Sequence, residues 1–276
     1  MNDTPSLDLD AYLCRIGYTG PRTPTIDVLR AIHRAHLQAI PFENLDALAG
    51  TPVHLDLPSV EAKLVHGRRG GLCFEQNSLL AAALEALGFT TTSLAARVHL
   101  ADKISGRHHM LLDVAVDGES WLADVGFGFN GFLEPLPRSG AIVEQSGWRY
   151  RVRQDGLYGF VESESESESE SESESDGDWA VLYDFTDDRQ YPIDHEVANY
   201  YITTHPNSPF ARVLVVSRFD GDERYGLFGR RYMHARSRER DDRGVRRAEL
   251  HQLLADVFHL EVGDDTPLRG AISRIE

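Results

Sequence analysis

The sequence predicts an α+β fold, on three observations. Helix-periodic segments fill the first third of the chain, β-rich runs separated by turns fill the middle, and one amphipathic helix stands near the end. At 276 residues the chain is long enough to bury a substantial core in more than one layer. Taken in order, AYLCRIGY around Cys14 reads as a helix with the cysteine buried. Ile26 to Leu37 follows as an amphipathic helix, with Asp27, Arg30, His33, Arg34 and Gln38 expected on the wet face. A third helix starts in RGGLCFEQN, Arg69 to Asn77. Cys73, Asn77, Leu80, Leu84 and Leu87 recur at helical spacing, and Gly88 is the stop signal. Gly70 and Gly71 tolerate positive φ and let another backbone or a ligand come close.

The middle of the chain carries β-rich runs at Ser93 to Leu100, His108 to Gly128, Trp148 to Val152, Leu157 to Val161 and Trp179 to Phe185. Between the last two lies a Ser/Glu repeat, Glu162 to Ser175, read as a solvated, mobile loop because it has no apolar side chain to offset its ordering entropy. The alternative for it is an interaction or phosphorylation tract. Without its seven glutamates the formal charge of −16 falls to −9, acidic on either count, which disfavours nucleic acid as a partner. The arginine-rich run Arg230 to Arg247 has interspersed acids and reads as a solvated face. The last helix spans Arg247 to Phe258, with Leu250, Leu253, Leu254 and Val257 as its apolar stripe.

Cys73 falls on the first helical turn, where unpartnered N–H groups and the positive end of the helix dipole favour a negatively charged sulfur. A lone cysteine is more often a small buried hydrophobe. A nucleophile also needs a base and a group that orients it, and the segment HHMLLDVAVDGESWLADVGFG offers both. Asp117-Gly118 between apolar runs signals a two-residue hairpin turn. Counting back from that turn pairs Val116 with Glu119 and sets Leu111 opposite Asp124, which puts His109 diagonally across from Asp124. The two share one face with Cβ atoms about 7 Å apart, whereas His108 points the other way. Cys73, His109 and Asp124 therefore make a candidate nucleophile, base and orienter.

These segments resemble the arylamine N-acetyltransferase family. RGGLCFEQN resembles its nucleophile motif, HMLLDVAVDGESWLADVGFG its His-to-Asp hairpin, PFENL (Pro41 to Leu45) its N-terminal signature and THPNSPF (Thr204 to Phe210) a later one. The resemblance implies Cys73, His109 and Asp124 as the catalytic residues. It also implies an N-terminal helical bundle (1–92), a central β-barrel (93–205) and a C-terminal α/β lid (206–276), with a cysteine-protease-like catalytic core. The implied activity is ping-pong transfer of acetyl from acetyl-coenzyme A to an arylamine or arylhydrazine, with no metal. Phe42, Phe127 and Phe129 are implied at the acceptor pocket. Ser105, Gly106, Gly126, Gly128, Asn207 and Ser208 match positions near the donor, and no Walker or dinucleotide glycine loop accompanies them.

A cysteine hydrolase or transglutaminase-like enzyme would use the same three groups. So would an amide synthase of the same fold fed by a carrier-bound acyl group. With two cysteines, no signal-like N-terminus and no apolar run long enough for a membrane span, the chain is expected to be cytoplasmic and free of the membrane. Nothing in it specifies an oligomeric state.

Overall fold

Helices fill the first third of the chain: α1 (Leu9–Arg15), α2 (Ile26–Ala39), α3 (Leu45–Ala49), α4 (Leu57–Glu61) and α5 (Cys73–Ala86), with one short strand, β1 (Phe42–Glu43), among them. The structure is a computed structural model and describes residues 6–99, 105–164, 179–237, 239–262, 266–273 and 275. Side-chain oxygens of Asp8, Thr25 and Asp56 cap α1, α2 and α4 by accepting from the free N–H groups of their first turns. Past the end of α5, Gly88 takes φ +90°, the left-handed conformation a helix stop requires.

The middle of the chain forms one antiparallel sheet of β2 (Thr90–Val98), β3 (His109–Val116), β4 (Glu119–Ala123), β5 (Leu136–Pro137), β6 (Val143–Gln145), β7 (Trp148–Asp155), β8 (Tyr158–Glu164) and β9 (Trp179–Phe185). Its order is β5-β4-β3-β2-β9-β8-β7-β6, and it curls until β5 meets β7, so it is barrel-like. Leu94, Leu111, Leu122, Phe132, Tyr150, Val161, Tyr183 and Phe185 fill its interior. α6 (Pro192–Thr204) leads to a meander of β10 (Val215–Asp220), β11 (Glu223–Phe228), β12 (Arg231–Arg236) and β13 (Glu239–Gly244). α7 (Leu250–Asp256) and α8 (Thr266–Ser273) share a core with that meander through Val216, Leu227, Leu254, Leu268 and Ile272. β1 completes the sheet, with Phe42 opposite Ser217, so a segment from the helical third edges the last sheet. Among the described residues no helix is long and apolar enough to cross a membrane.

Five expectations change. Cys14 is exposed, because α1 turns Tyr12 and Leu13 to the core instead. His33 is fully buried rather than on the wet face of α2. The Ser/Glu repeat begins inside β8: Glu162 is 3% exposed and stands opposite Arg151. Its two oxygens accept from Arg151 Nε at 2.7 Å and Arg153 Nε at 2.8 Å, so a strand partner supplies what composition could not reveal. The rest of the repeat, 165–175, lies outside the described residues. Gly70 and Gly71 avoid positive φ, which Arg68 takes at +52°. The expected final helix starts as a 3-10 turn, Arg247–Glu249, before α7, and α8, a helix the sequence did not announce, follows. The arginine-rich run is itself the β12–β13 hairpin, and β13 is exposed throughout.

Three buried histidines tie the helices to one another and to the rest. His36 Nε2 donates to Gln76 Oε1 at 2.7 Å, which leaves Nδ1 to accept from the Tyr12 hydroxyl at 2.9 Å. His33 Nδ1 donates to the Leu133 carbonyl at 2.9 Å, which leaves Nε2 to accept from Asp124 N–H at 3.1 Å. His195 Nε2 bonds Ser93 Oγ at 2.6 Å. Burial lowers all three, to about 4 for His33, about 3 for His36 and about 4 for His195. In the unfolded chain each titrates near 6.5, so the unfolded state binds more protons between that value and the folded one. Their stabilisation is complete above pH 6.5 and drains as pH falls towards 4. The melting temperature is therefore expected to drop steadily from pH 7 to pH 4 in a thermal unfolding series, and less steeply in His36→Gln.

Candidate active site

Most residues of RGGLCFEQN, Arg69 to Asn77, have an identifiable job. Arg69 lies between Glu43 and Asp46, with Nε 2.8 Å from Glu43 Oε1 and Nη2 3.0 Å from Asp46 Oδ1. A Cβ on Gly70 would stand 2.0 Å from the Pro41 carbonyl oxygen, and one on Gly71 2.7 Å from Glu75 Oε2. Close approach, rather than φ, is what demands glycine there. Glu75, buried at the start of α5, accepts from Leu72 N–H at 2.9 Å and from Lys63 Nζ at 2.8 Å. Gln76 Nε2 donates to the Pro41 carbonyl at 2.7 Å. Cys73, 4% exposed, is thereby fixed as the first residue of α5.

PFENL is explained by the same contacts. Pro41 and Glu43 hold the loop before Cys73, while Asn44 reaches the other way. Its Nδ2 donates to the Phe210 and Val213 carbonyls and its Oδ1 accepts from Val215 N–H, each at 2.7 Å. One short segment thus joins the nucleophile loop to THPNSPF and the last sheet.

The β3–β4 hairpin has the register read from sequence: Val116 pairs with Glu119 across Asp117 (φ +54°) and Gly118 (φ +83°). His109 Nε2 donates to Asp124 Oδ2 at 2.6 Å. The other oxygen, Oδ1, accepts from Asn77 Nδ2 at 3.0 Å and Gly126 N–H at 2.9 Å. With Nε2 committed to Asp124, Nδ1 is the ring nitrogen left for the Cys73 thiol beside it. Burial works against a charged His109, but the Asp124 carboxylate and the Cys73 side chain outweigh it and push the ring up to about 10. Burial likewise raises Asp124, and His109, Asn77 and Gly126 N–H more than offset it, so the carboxyl sits below its ordinary range. The arrangement can hold a proton on an imidazole beside a sulfur across the neutral range.

Gly126 closes the site from the far side. A Cβ there would lie 2.5 Å from Cys73 Cα and 2.8 Å from Asn77 Nδ2. Phe127 meets the His109 ring edge-on at 5.4 Å, and Tyr183 stands 5.2 Å from His109 and 5.1 Å from Phe127. Burial and the nearby Asp124 charge hold the Tyr183 phenol well above its ordinary value. Phe42 packs 5.9 Å from Phe210 and lies close to Gly128 (φ +89°). Phe129 is seated against Gly226 of β11, with Arg240 over its ring.

His108 points away from the hairpin face, as the parity argument requires, and stacks on Tyr201 at 5.4 Å; Tyr201 stacks on His205 at 4.5 Å. This ladder links the two segments suspected of donor contact. Gly106 N–H donates to His108 Nε2 at 3.0 Å and Asn207 N–H to His205 Nδ1 at 3.2 Å. Ser105 Oγ, by contrast, donates to the Val98 carbonyl at 2.7 Å, and Ser208 Oγ to the Ile202 carbonyl, so both hydroxyls are used within the chain. His33, Asn77 and Tyr183 surround Asp124 without having been singled out for it. Only Asn77 carried a signal, four residues after Cys73 on the same helical face.

An N-acetyltransferase family model matches residues 25–266. An arylamine N-acetyltransferase of Mycolicibacterium smegmatis is 36% identical over 268 residues, 94% of each chain. Among solved structures, the Mycobacterium marinum arylamine N-acetyltransferase in complex with CoA superposes with a TM-score of 0.87 at 32% identity, covering 97% of this chain and 99% of that one. The arylamine N-acetyltransferase from Salmonella typhimurium superposes with a TM-score of 0.86 at 31% identity, covering 98% and 99%.

Proposed function

Because the chain belongs to the arylamine N-acetyltransferase family, we propose that it moves an acetyl group from acetyl-coenzyme A to the nitrogen of an arylamine or arylhydrazine, in two steps that share Cys73. The observation that carries this reading is the bond from His109 Nε2 to Asp124, which frees the other ring nitrogen for a cysteine on the first turn of α5. In the first step Cys73 passes its proton to His109 Nδ1 and its sulfur attacks the thioester carbonyl. The backbone N–H of Cys73, in the first turn of α5, supports the oxyanion. The C–S bond to coenzyme A then breaks, and the departing thiolate takes the proton from His109.

In the second step the amine nitrogen attacks acetyl-Cys73 while His109 Nδ1 accepts the proton it loses. The new C–N bond forms, the C–S bond to Cys73 breaks, and that proton returns to the sulfur. Asp124 keeps the imidazole in the tautomer both steps use. Phe127, edge-on to the His109 ring, and Phe42, beside Gly128, offer aromatic walls to an amine, and Gly106 and Asn207, joined by the ladder of rings, mark the side on which coenzyme A would lie.

A hydrolase with the same three groups would release free coenzyme A whether or not an amine is present. Acetyl transfer predicts release that depends on added arylamine after one initial turnover. His109→Ala is expected to abolish that initial turnover at neutral pH, and His108→Ala to retain most of it. Both are read by thiol titration of the released coenzyme; the reverse pattern would assign the base to the wrong neighbour.

A further inference from the structure

We infer that Arg224 and Gly226 of β11 hold Phe129 in place and so set the width of the pocket that receives the amine; this deepens the function proposed above and rests on it for the identity of the ligand. Alternation along the strand puts both residues on one face. Arg224 is 1% exposed. Its Nη1 donates to the Phe129 carbonyl at 3.3 Å and its Nη2 to the Tyr150 hydroxyl at 2.6 Å. Its guanidinium lies 4.2 Å from the centre of the Trp148 ring. A guanidinium this buried ordinarily meets a carboxylate. Here, among the described residues, two neutral oxygens and aromatic faces take that place.

Gly226 completes the seat. A Cβ there would stand 2.7 Å from Phe129 Cδ2, so the bare α-carbon is what lets the ring lie against the strand. Met233 Cε, at 2.8 Å from the same point, is the end of a flexible chain and can move aside. The ring of Phe129 would have to yield more. At its other end the same segment is fixed to the nucleophile: Gly126 N–H donates to Asp124 Oδ1, and Gly126 packs on Cys73 Cα. Residues 126–129 are thus pinned to the nucleophile at one end and to a strand of the last sheet at the other. A methyl at position 226 pushes Phe129 off the strand and shifts the segment whose other end packs on Cys73.

The test is equilibrium binding of a one-ring amine, aniline, and a two-ring amine, 2-naphthylamine, to Cys73→Ala protein with and without Gly226→Ala. Gly226→Ala is expected to weaken the two-ring amine relative to the one-ring amine by about tenfold or more, the scale on which pocket walls discriminate size. Adding Phe129→Leu to Gly226→Ala should bring the ratio back towards that of the parent, a coupling that general destabilisation would not produce. Should Gly226→Ala fail to fold, Phe129→Leu alone stands in for it: a ratio shifted in favour of the two-ring amine supports the seat, and a parent-like ratio overturns it. An unchanged ratio in Gly226→Ala, or no recovery in the double variant, overturns it. Loss of binding for both amines in the parent overturns it together with the amine pocket. Acetylation of Cys73 by acetyl-coenzyme A needs no amine, so failure of the acetyl-transfer reading shows separately.

Discussion

Asp124→Asn is expected to slow acetylation of Cys73 by about 10⁴-fold at neutral pH while the protein remains folded. The carboxylate uses both oxygens: Oδ1 serves Asn77 and Gly126, and Oδ2 serves His109. An asparagine has one oxygen, and two donors already claim the Oδ1 position. Its amide nitrogen then faces His109 Nε2, which must become an acceptor, and the ring proton moves to Nδ1, where the sulfur needs a base. The shape of the site is kept and its tautomer is inverted. Rapid-quench measurement of acetyl incorporation, with a melting curve on the same sample, reads both halves of this expectation. The pH dependence follows from the same pair. With His109 raised from 6.5 in the unfolded chain to about 10, the protonated ring contributes stability that is complete below pH 6.5 and lost as pH rises through about 10. The proton given to the departing thiolate is lost over that same alkaline limb. In Asp124→Asn the limb moves to lower pH, because burial is no longer opposed by the carboxylate.

Gly126→Ala is the second large effect. The added methyl lies 2.5 Å from Cys73 Cα, a backbone atom at the start of a packed helix, so relief requires α5 and the loop after Asp124 to part. Overpacking of this kind costs about 1–3 kcal/mol, and displacing a nucleophile by even about 1 Å costs about 100-fold in rate. Gly118→Ala is the informative control. Gly118 has φ +83° with open space around it, so it is expected to lose about 1–2 kcal/mol of stability from the left-handed backbone alone and to leave the rate untouched. Denaturant melts and acetylation rates on the two variants separate steric displacement of the site from backbone strain.

Much of the site was legible because it is built from local rules. The Asp117-Gly118 turn fixes a register, the register fixes which of two histidines faces Asp124, and helical spacing turns Cys73 inward. What stayed hidden is what depends on partners far along the chain. His33 has the polar neighbours of a wet helix face, yet its ring is held by Leu133, one hundred residues away. Asn44 is held by three backbone groups between Phe210 and Val215; Glu162, nearer in sequence to its partners, is held by two arginines of β7. None of these pairings leaves a periodicity to read. Strands β12 and β13 stayed hidden for another reason: they carry so many arginines and acids that they are too polar to resemble buried strands.

The measurement that bears most directly on the whole account is the intact mass of the protein after incubation with acetyl-coenzyme A and no amine. One added acetyl group, about 42 Da, should appear, disappear on addition of an arylamine, and never form in Cys73→Ala. An adduct that persists in Cys73→Ala, or no adduct on the wild-type protein, would contradict a mechanism that begins at this sulfur.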